Sequence, residues 1–329
     1  MSEIQKILGN QNNIRHLKEA AKLGRLPHAY IINGAAGSGK KTFAAYLAAA
    51  LLCDEEIEKA PCGVCPSCIK AATRNHPDII WTVHEKPTVL SVQEIRDQVV
   101  NTVSIAPYYG PYKIYIIADA QLLNEHGQNA LLKTIEEPPE YVLVLILTDN
   151  ADALLDTIRS RCIRMDMEGL KREEIEQELI AEGIQKGEAK ECAGFARGNL
   201  GIAKDLASGG LLRELKDETV KTLKNMKNID AFEIYNLATE MDKERGGKVI
   251  DIIFKWYRDM LMCKAGAAEE GLYFEGDKAV LKRQSESLSF EGLGRITERV
   301  EEAALRLQSG VKAEAVFETL YLKIREEYK

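Results

Sequence analysis

The stretch HAYIINGAAGSGKKTFAAYL, residues 28–47, constrains this chain more than any other. A short apolar run enters a glycine-rich turn, and the turn enters an alanine-, leucine- and aromatic-rich run of helical character. A strand that passes through such a turn into a helix aims backbone N–H groups and the positive end of the helix at one point, which makes a phosphate cradle. Gly34, Gly39 and Lys40 fit G-x-x-x-x-G-K-[ST] in the required strand-to-helix context. The candidate nucleotide-binding residues here are Gly34, Gly37, Gly39, Lys40 and Thr42.

Further apolar runs repeat the theme. DIIWTV (78–83), KIYIIA (113–118), YVLVLILT (141–148) and CIRMDM (162–167) are too continuously apolar for one-sided strands, so a parallel sheet covered on both faces is expected. Between them KTFAAYLAAALL, SVQEIRDQVVNTV and NEHGQNALLKTIEE have helical character, the last stopped by Pro138 and Pro139. That alternation predicts an α/β domain over residues 1–168, followed by helices only. A small helical unit is expected over 169–208 and a larger helical domain over 209–329, with 263–278 as its exposed loop. In the latter Val249, Ile253, Trp256, Tyr257 and Met260 share one helical face.

Two departures bear on chemistry. The hydroxyl that normally ligates Mg²⁺ is replaced by Lys41, and Thr42 stands about 100° further round the helix. The strand KIYIIA ends Ala118-Asp119-Ala120, where hydrolysing proteins of this kind put an Asp for the metal and a Glu for the attacking water. Either alignment of Asp119 leaves that pair incomplete. Little or no hydrolysis is expected, because phosphoryl transfer rests on positioned charge.

Four of the seven cysteines form C-x8-C-x2-C-x2-C: Cys53, Cys62, Cys65 and Cys68. Four thiolates this close suit one structural Zn²⁺ with no open coordination position, in a module over about 53–76. His76 is a weaker candidate ligand. The scattered Cys162, Cys192 and Cys263 read as small core residues. A net charge of −7 argues against strong autonomous binding to a phosphate backbone. No run approaches the about 18 apolar residues of a membrane span, and the start lacks the apolar core of a secretion signal, so a cytoplasmic protein is expected.

LGNQNNIRHLKEAAKLGRLPHAYIINGAAGSGKKT, the cysteine knuckle, GPYKIYIIADAQLLNEHGQNALLKTIEEPPE and TIRSRCIRMDM together resemble the clamp-loader subunits of bacterial DNA polymerase III, which are AAA+ proteins. FKWYRDMLMCKAG is similar to the family's non-motor member. The resemblance implies an AAA+ P-loop domain with a zinc module, a helical lid and a C-terminal domain joining a pentameric collar. It implies tau/gamma and delta subunits as partners, with the sliding clamp and primed DNA reached through the assembly. It also implies that Arg161, in SRC, acts in trans on ATP held by a neighbour, that Thr148 is the sensor position, and that the lid's nucleotide-touching arginine is replaced by Gly201. ATP or ADP would bind weakly or not at all. An ATP-hydrolysing tau/gamma-type subunit is the first rival reading, and a small-molecule P-loop kinase with a zinc module the second.

Overall fold

The computed structural model describes residues 7–84, 89–267 and 271–328. They form two compact units, Met1–Leu170 and Lys171–Lys329.

The first unit is built on a parallel sheet of β1 (Ala29–Asn33), β2 (Ile79–Trp81), β3 (Lys113–Ile117), β4 (Val142–Thr148) and β5 (Ile163–Asp166), in the order β2-β3-β4-β1-β5. Its helices are α1 (Gln11–Lys22), α2 (Lys40–Leu51), α3 (Pro66–Ala72), α4 (Val92–Ile95, continued by a π-turn over Arg96–Val100), α5 (Glu125–Glu136) and the single turn α6 (Asp156–Arg159). Alternate residues of each strand face opposite sides of the sheet. Tyr30, Ile32, Ile114, Ile116, Leu143 and Leu145 pack with Leu17 of α1 and Phe43 and Leu47 of α2. Ile31, Tyr115, Ile117, Val144 and Ile146 pack on the other face with Ile95, Val99, Leu131, Ile135 and Ile158. The expected two-sided burial therefore holds for β1, β3 and β4. It fails for β5, an edge strand where only Met165 is buried and Ile163, Arg164 and Asp166 meet solvent.

The second unit is helical: α7 (Arg172–Ala181), α8 (Lys186–Ala196), α9 (Leu200–Ala207), α10 (Leu211–Lys224), α11 (Ala231–Thr239), α12 (Lys243–Lys264), α13 (Lys278–Ser287), α14 (Phe290–Gln308) and α15 (Ala313–Glu327). Val249, Ile253, Trp256, Tyr257 and Met260 of α12 are buried together, as their spacing requires. The segment 263–278 is exposed at 265–267 but is not the exposed loop throughout; part of it, 268–270, lies outside the described residues. Cys263 and Lys264 complete α12, and Leu272 and Phe274 are buried. Their anchor is the fully buried carboxylate of Asp259, which accepts the Tyr273 and Phe274 N–H groups at 2.6 and 2.9 Å and the Arg258 guanidinium at 2.9 Å. A carboxylate one turn from the helix end thus captures the returning chain, a tie that composition alone conceals.

Replacing Asp259 by Ala strands two backbone donors at the edge of this core. Urea unfolding should register a loss of about 3 kcal/mol for Asp259→Ala, and a smaller loss for Asp259→Asn, which keeps an acceptor oxygen. Equal losses for the two variants would show that packing, not hydrogen bonding, holds the segment.

Candidate functional site

The loop between β1 and α2 is shaped as the sequence requires. A Cβ on Gly34 would lie 2.8 Å from the Met167 Cβ and 2.8 Å from the Ser38 Oγ, so no larger residue fits. Gly39 caps α2 with φ of +88°, and Gly37 has φ of +79°, both in the left-handed region that side chains disfavour. The Gly34 N–H donates to the Thr148 carbonyl at 3.1 Å, which ties the loop to the end of β4. The Lys40 ammonium donates to the carbonyls of Gly34 and, at 2.9 Å, Ala35, so it closes on its own loop. Burial lowers the Lys40 pKa, against the opposing pull of Asp149 and Asp119.

The metal-ligand positions have been remade. Ala118 is buried, and its N–H donates to the Thr82 hydroxyl at 3.1 Å. Asp119 then turns with φ of +54° and accepts the Lys41 ammonium at 2.8 Å. The His84 Nε2 lies 3.8 Å from the same carboxylate oxygen. Mg²⁺ demands near-octahedral oxygen ligands at about 2.0–2.1 Å. Lys41 offers no lone pair, and Asp119 is already paired, so these residues do not fit that ion. Thr42 is exposed on the first turn of α2. Thr148 is fully buried beside the loop, but its hydroxyl donates to the Asn150 carbonyl and accepts the Asn150 N–H, each at 3.1 Å, and is committed to a local turn.

The two arginines before β5 differ in their surroundings. Arg159 is held by two carboxylates, Asp152 at 3.0 Å and Asp156. Arg161 meets one carboxylate, Glu136 at 2.9 Å, and donates to the Thr157 carbonyl at 3.0 Å, while 42% of its side chain stays exposed. An ion pair this open contributes about 0–1 kcal/mol, so a stronger anion can draw the guanidinium away. Gly201 lies in the first turn of α9, whose N-cap Asn199 accepts the Ile202 N–H at 3.1 Å.

The sulfurs of Cys53, Cys62, Cys65 and Cys68 lie within 4.8 Å of one another. Zn–S bonds of about 2.3 Å put tetrahedral sulfurs about 3.8 Å apart, and the Cys53–Cys65 separation is 4.0 Å. Backbone N–H groups of Glu55, Cys62, Cys65 and Cys68 point at sulfur, each at 3.4 Å, an arrangement that favours thiolates. Backbone donors from Val64 and Cys65 lower the Cys62 pKa to about 7, whereas burial raises those of Cys53 and Cys68. The four residues fit a closed tetrahedral metal site. His76 stands outside the cluster, its Nδ1 accepting the Asp78 N–H at 3.1 Å.

The Lys41–Asp119 pair and the Glu136 rest for Arg161 escape a linear reading. Lys41 and Asp119 are two separate oddities in sequence, and only their opposite signs at the two metal-ligand positions hint that they meet.

A family model described as DNA polymerase III, delta subunit, matches residues 9–171. The delta' subunit of Bacillus subtilis DNA polymerase III is 28% identical over 308 residues, covering 92% of each chain. The tau subunit of Escherichia coli DNA polymerase III is 36% identical over 173 residues, 53% of this chain and 26% of that one. The chain thus spans about a quarter of the length of that tau relative. A DNA polymerase III gamma subunit-related protein from Thermotoga maritima superposes with a TM-score of 0.47 at 14% identity, covering 96% of this chain and 99% of that one. With a P-loop at the end of β1 and β1 set between β4 and β5, the first unit is an AAA+ domain, and the chain belongs to the family of DNA polymerase III clamp-loader subunits.

Proposed function

We propose that the chain is a delta'-type, non-motor clamp-loader subunit that supplies Arg161 to ATP held by a neighbouring tau/gamma subunit. The assembly would load the sliding clamp onto primed DNA, with delta as a further partner, residues 169–208 as the lid and 209–329 as the collar domain. The observation that carries this reading is an asymmetry of charge. At its own cleft the cation of Lys41 is tied to Asp119, so neither of the two usual metal-ligand positions offers an unpaired oxygen. Arg161, by contrast, is half exposed beside one half-exposed glutamate. A planar, permanently charged guanidinium can stabilise the charge that spreads over the γ-phosphoryl oxygens next door.

Turnover measured on the isolated chain should be negligible. In an assembly with tau/gamma and delta subunits, Arg161→Ala should leave assembly intact and reduce hydrolysis at the adjoining site by about 10³-fold or more. Arg161→Lys should rescue little of it, since an ammonium cannot reproduce the two-pronged contact. Brisk hydrolysis by the chain alone would instead favour a tau/gamma-type motor.

The four cysteines would hold Zn²⁺ as a structural ion, with all four coordination positions filled by thiolate. Metal analysis of the purified chain should find about one zinc per molecule. Cys68→Ser should lower that content and the melting temperature together, since Cys68 is the buried member of the set. Full stability of a zinc-free chain would remove the structural role.

A further inference from the structure

Magnesium does not fit this cleft, and what replaces it defines a different ligand chemistry. We propose that the phosphate loop takes the polyphosphate of a nucleoside di- or triphosphate without a divalent cation, the Lys41 ammonium serving as a built-in counter-charge.

The two elements that hold Mg²⁺ in P-loop NTPases are the first turn of the helix after the loop and the end of a second strand of the sheet, here β3. Here those elements are joined by the 2.8 Å bond from Lys41 Nζ to Asp119 Oδ2. A serine or threonine hydroxyl reaches only about 2.5 Å from its Cα, whereas a lysine ammonium reaches about 6 Å on its four-carbon stem. The ammonium therefore bridges the two elements, whose groups face each other through it.

Lys41 has three donors, and one is used on Asp119. Among the described residues the remaining donors are available to phosphate oxygens without breaking the pair. A divalent ion entering the same space would have to shed water, displace the lysine from Asp119 and then face its positive charge. Each of these opposes metal binding; none opposes a metal-free phosphate.

The rest of the cradle is intact. Gly34 has no room for a side chain, Gly37 and Gly39 hold their left-handed geometry, and α2 runs for 12 residues behind the loop. Lys40 now rests on two neutral carbonyls. Exchanging them for anionic phosphate oxygens makes stronger, charge-assisted bonds. This concerns the chain's own cleft and stands independently of the service Arg161 performs for a neighbour.

Calorimetric titration of the full chain with ADP and with ATP, in excess Mg²⁺ and again in EDTA, tests it. Wild-type dissociation constants should agree within about twofold between the two conditions, because the counter-charge is covalently part of the protein. Lys41→Thr restores a hydroxyl and frees Asp119, so its affinity should fall at least about tenfold on going from Mg²⁺ to EDTA. Asp119→Ala removes a repelling carboxylate and releases the ammonium, so metal-free binding should tighten by about threefold or more. Tenfold stronger wild-type binding in Mg²⁺, loss of binding in Asp119→Ala, or no binding of either nucleotide at millimolar concentration would each overturn the proposal. Because the isolated chain is titrated, none of these outcomes touches the Arg161 experiment.

Discussion

The parallel pairing of β1 with β4 on one side and β5 on the other decides where the phosphate loop and the groups that follow β4 and β5 lie. Parallel strands end at the same edge, so the segments that follow them converge there. Register puts Asn33 beside both Thr148 and Asp166. Asn33 uses the position fully: its amide donates to the Asp166 carboxylate at 2.6 Å, its side-chain oxygen accepts the Ala151 N–H at 3.1 Å, and its carbonyl accepts the Met167 N–H at 2.7 Å. The residue just before the phosphate loop thus clasps the exits of both neighbouring strands. The loop's shape is a consequence of that clasp as much as of its glycines.

On that edge the distribution of charge separates two kinds of site. Opposite charges close on each other at the chain's own cleft, with Lys41 on Asp119 and Lys40 on loop carbonyls. Around β5 the charges are graded. Among the described residues Arg159 is paired with two carboxylates, Asp152 and Asp156, whereas Arg161 is paired with Glu136 alone. One residue, Ser160, separates these arginines: Arg159 ends α6 and faces its first residue, while Arg161 donates to the Thr157 carbonyl of the same turn and reaches Glu136 at the end of α5. Both arginines are permanently charged, so the difference in their availability comes from neighbours and not from titration.

Much of this architecture is legible in sequence because it rests on periodicity. The strands of Ile31, Tyr115 and Val144 each carry at least four consecutive buried apolar residues, which only a sheet covered on both sides can accommodate, and the glycines at 34 and 39 have a steric and a conformational reason to be there. What escaped the sequence is set by pairs distant along the chain. Lys41 meets Asp119 across 78 residues, and Glu136 meets Arg161 from the last turn of another helix. Neither contact leaves a periodic trace. The segment after Cys263 misled for a related reason: its glycine- and glutamate-rich composition is that of a loop, and one buried carboxylate on α12 overrides it. Edge strand β5 erred the other way, since an apolar run states what a strand can bury and not whether a helix covers it.

The cysteine module and the phosphate loop belong to opposite ends of one helix. α2 begins at Lys40, directly after the loop, and ends two residues before Cys53. At 1.5 Å per residue it is a rod of about 18 Å. Its far end is where the module docks: the Cys68 sulfur approaches the Ala49 carbonyl at 4.0 Å, and Ala71 and Ile57 join the core formed by Phe43, Leu47 and Ala48. What connects the module to the loop is the packing of that rod and not charge, which decays over about 8 Å in physiological salt. The sign of the charge at the loop is left to Lys40, Lys41 and the carboxylates at the ends of β3 and β4.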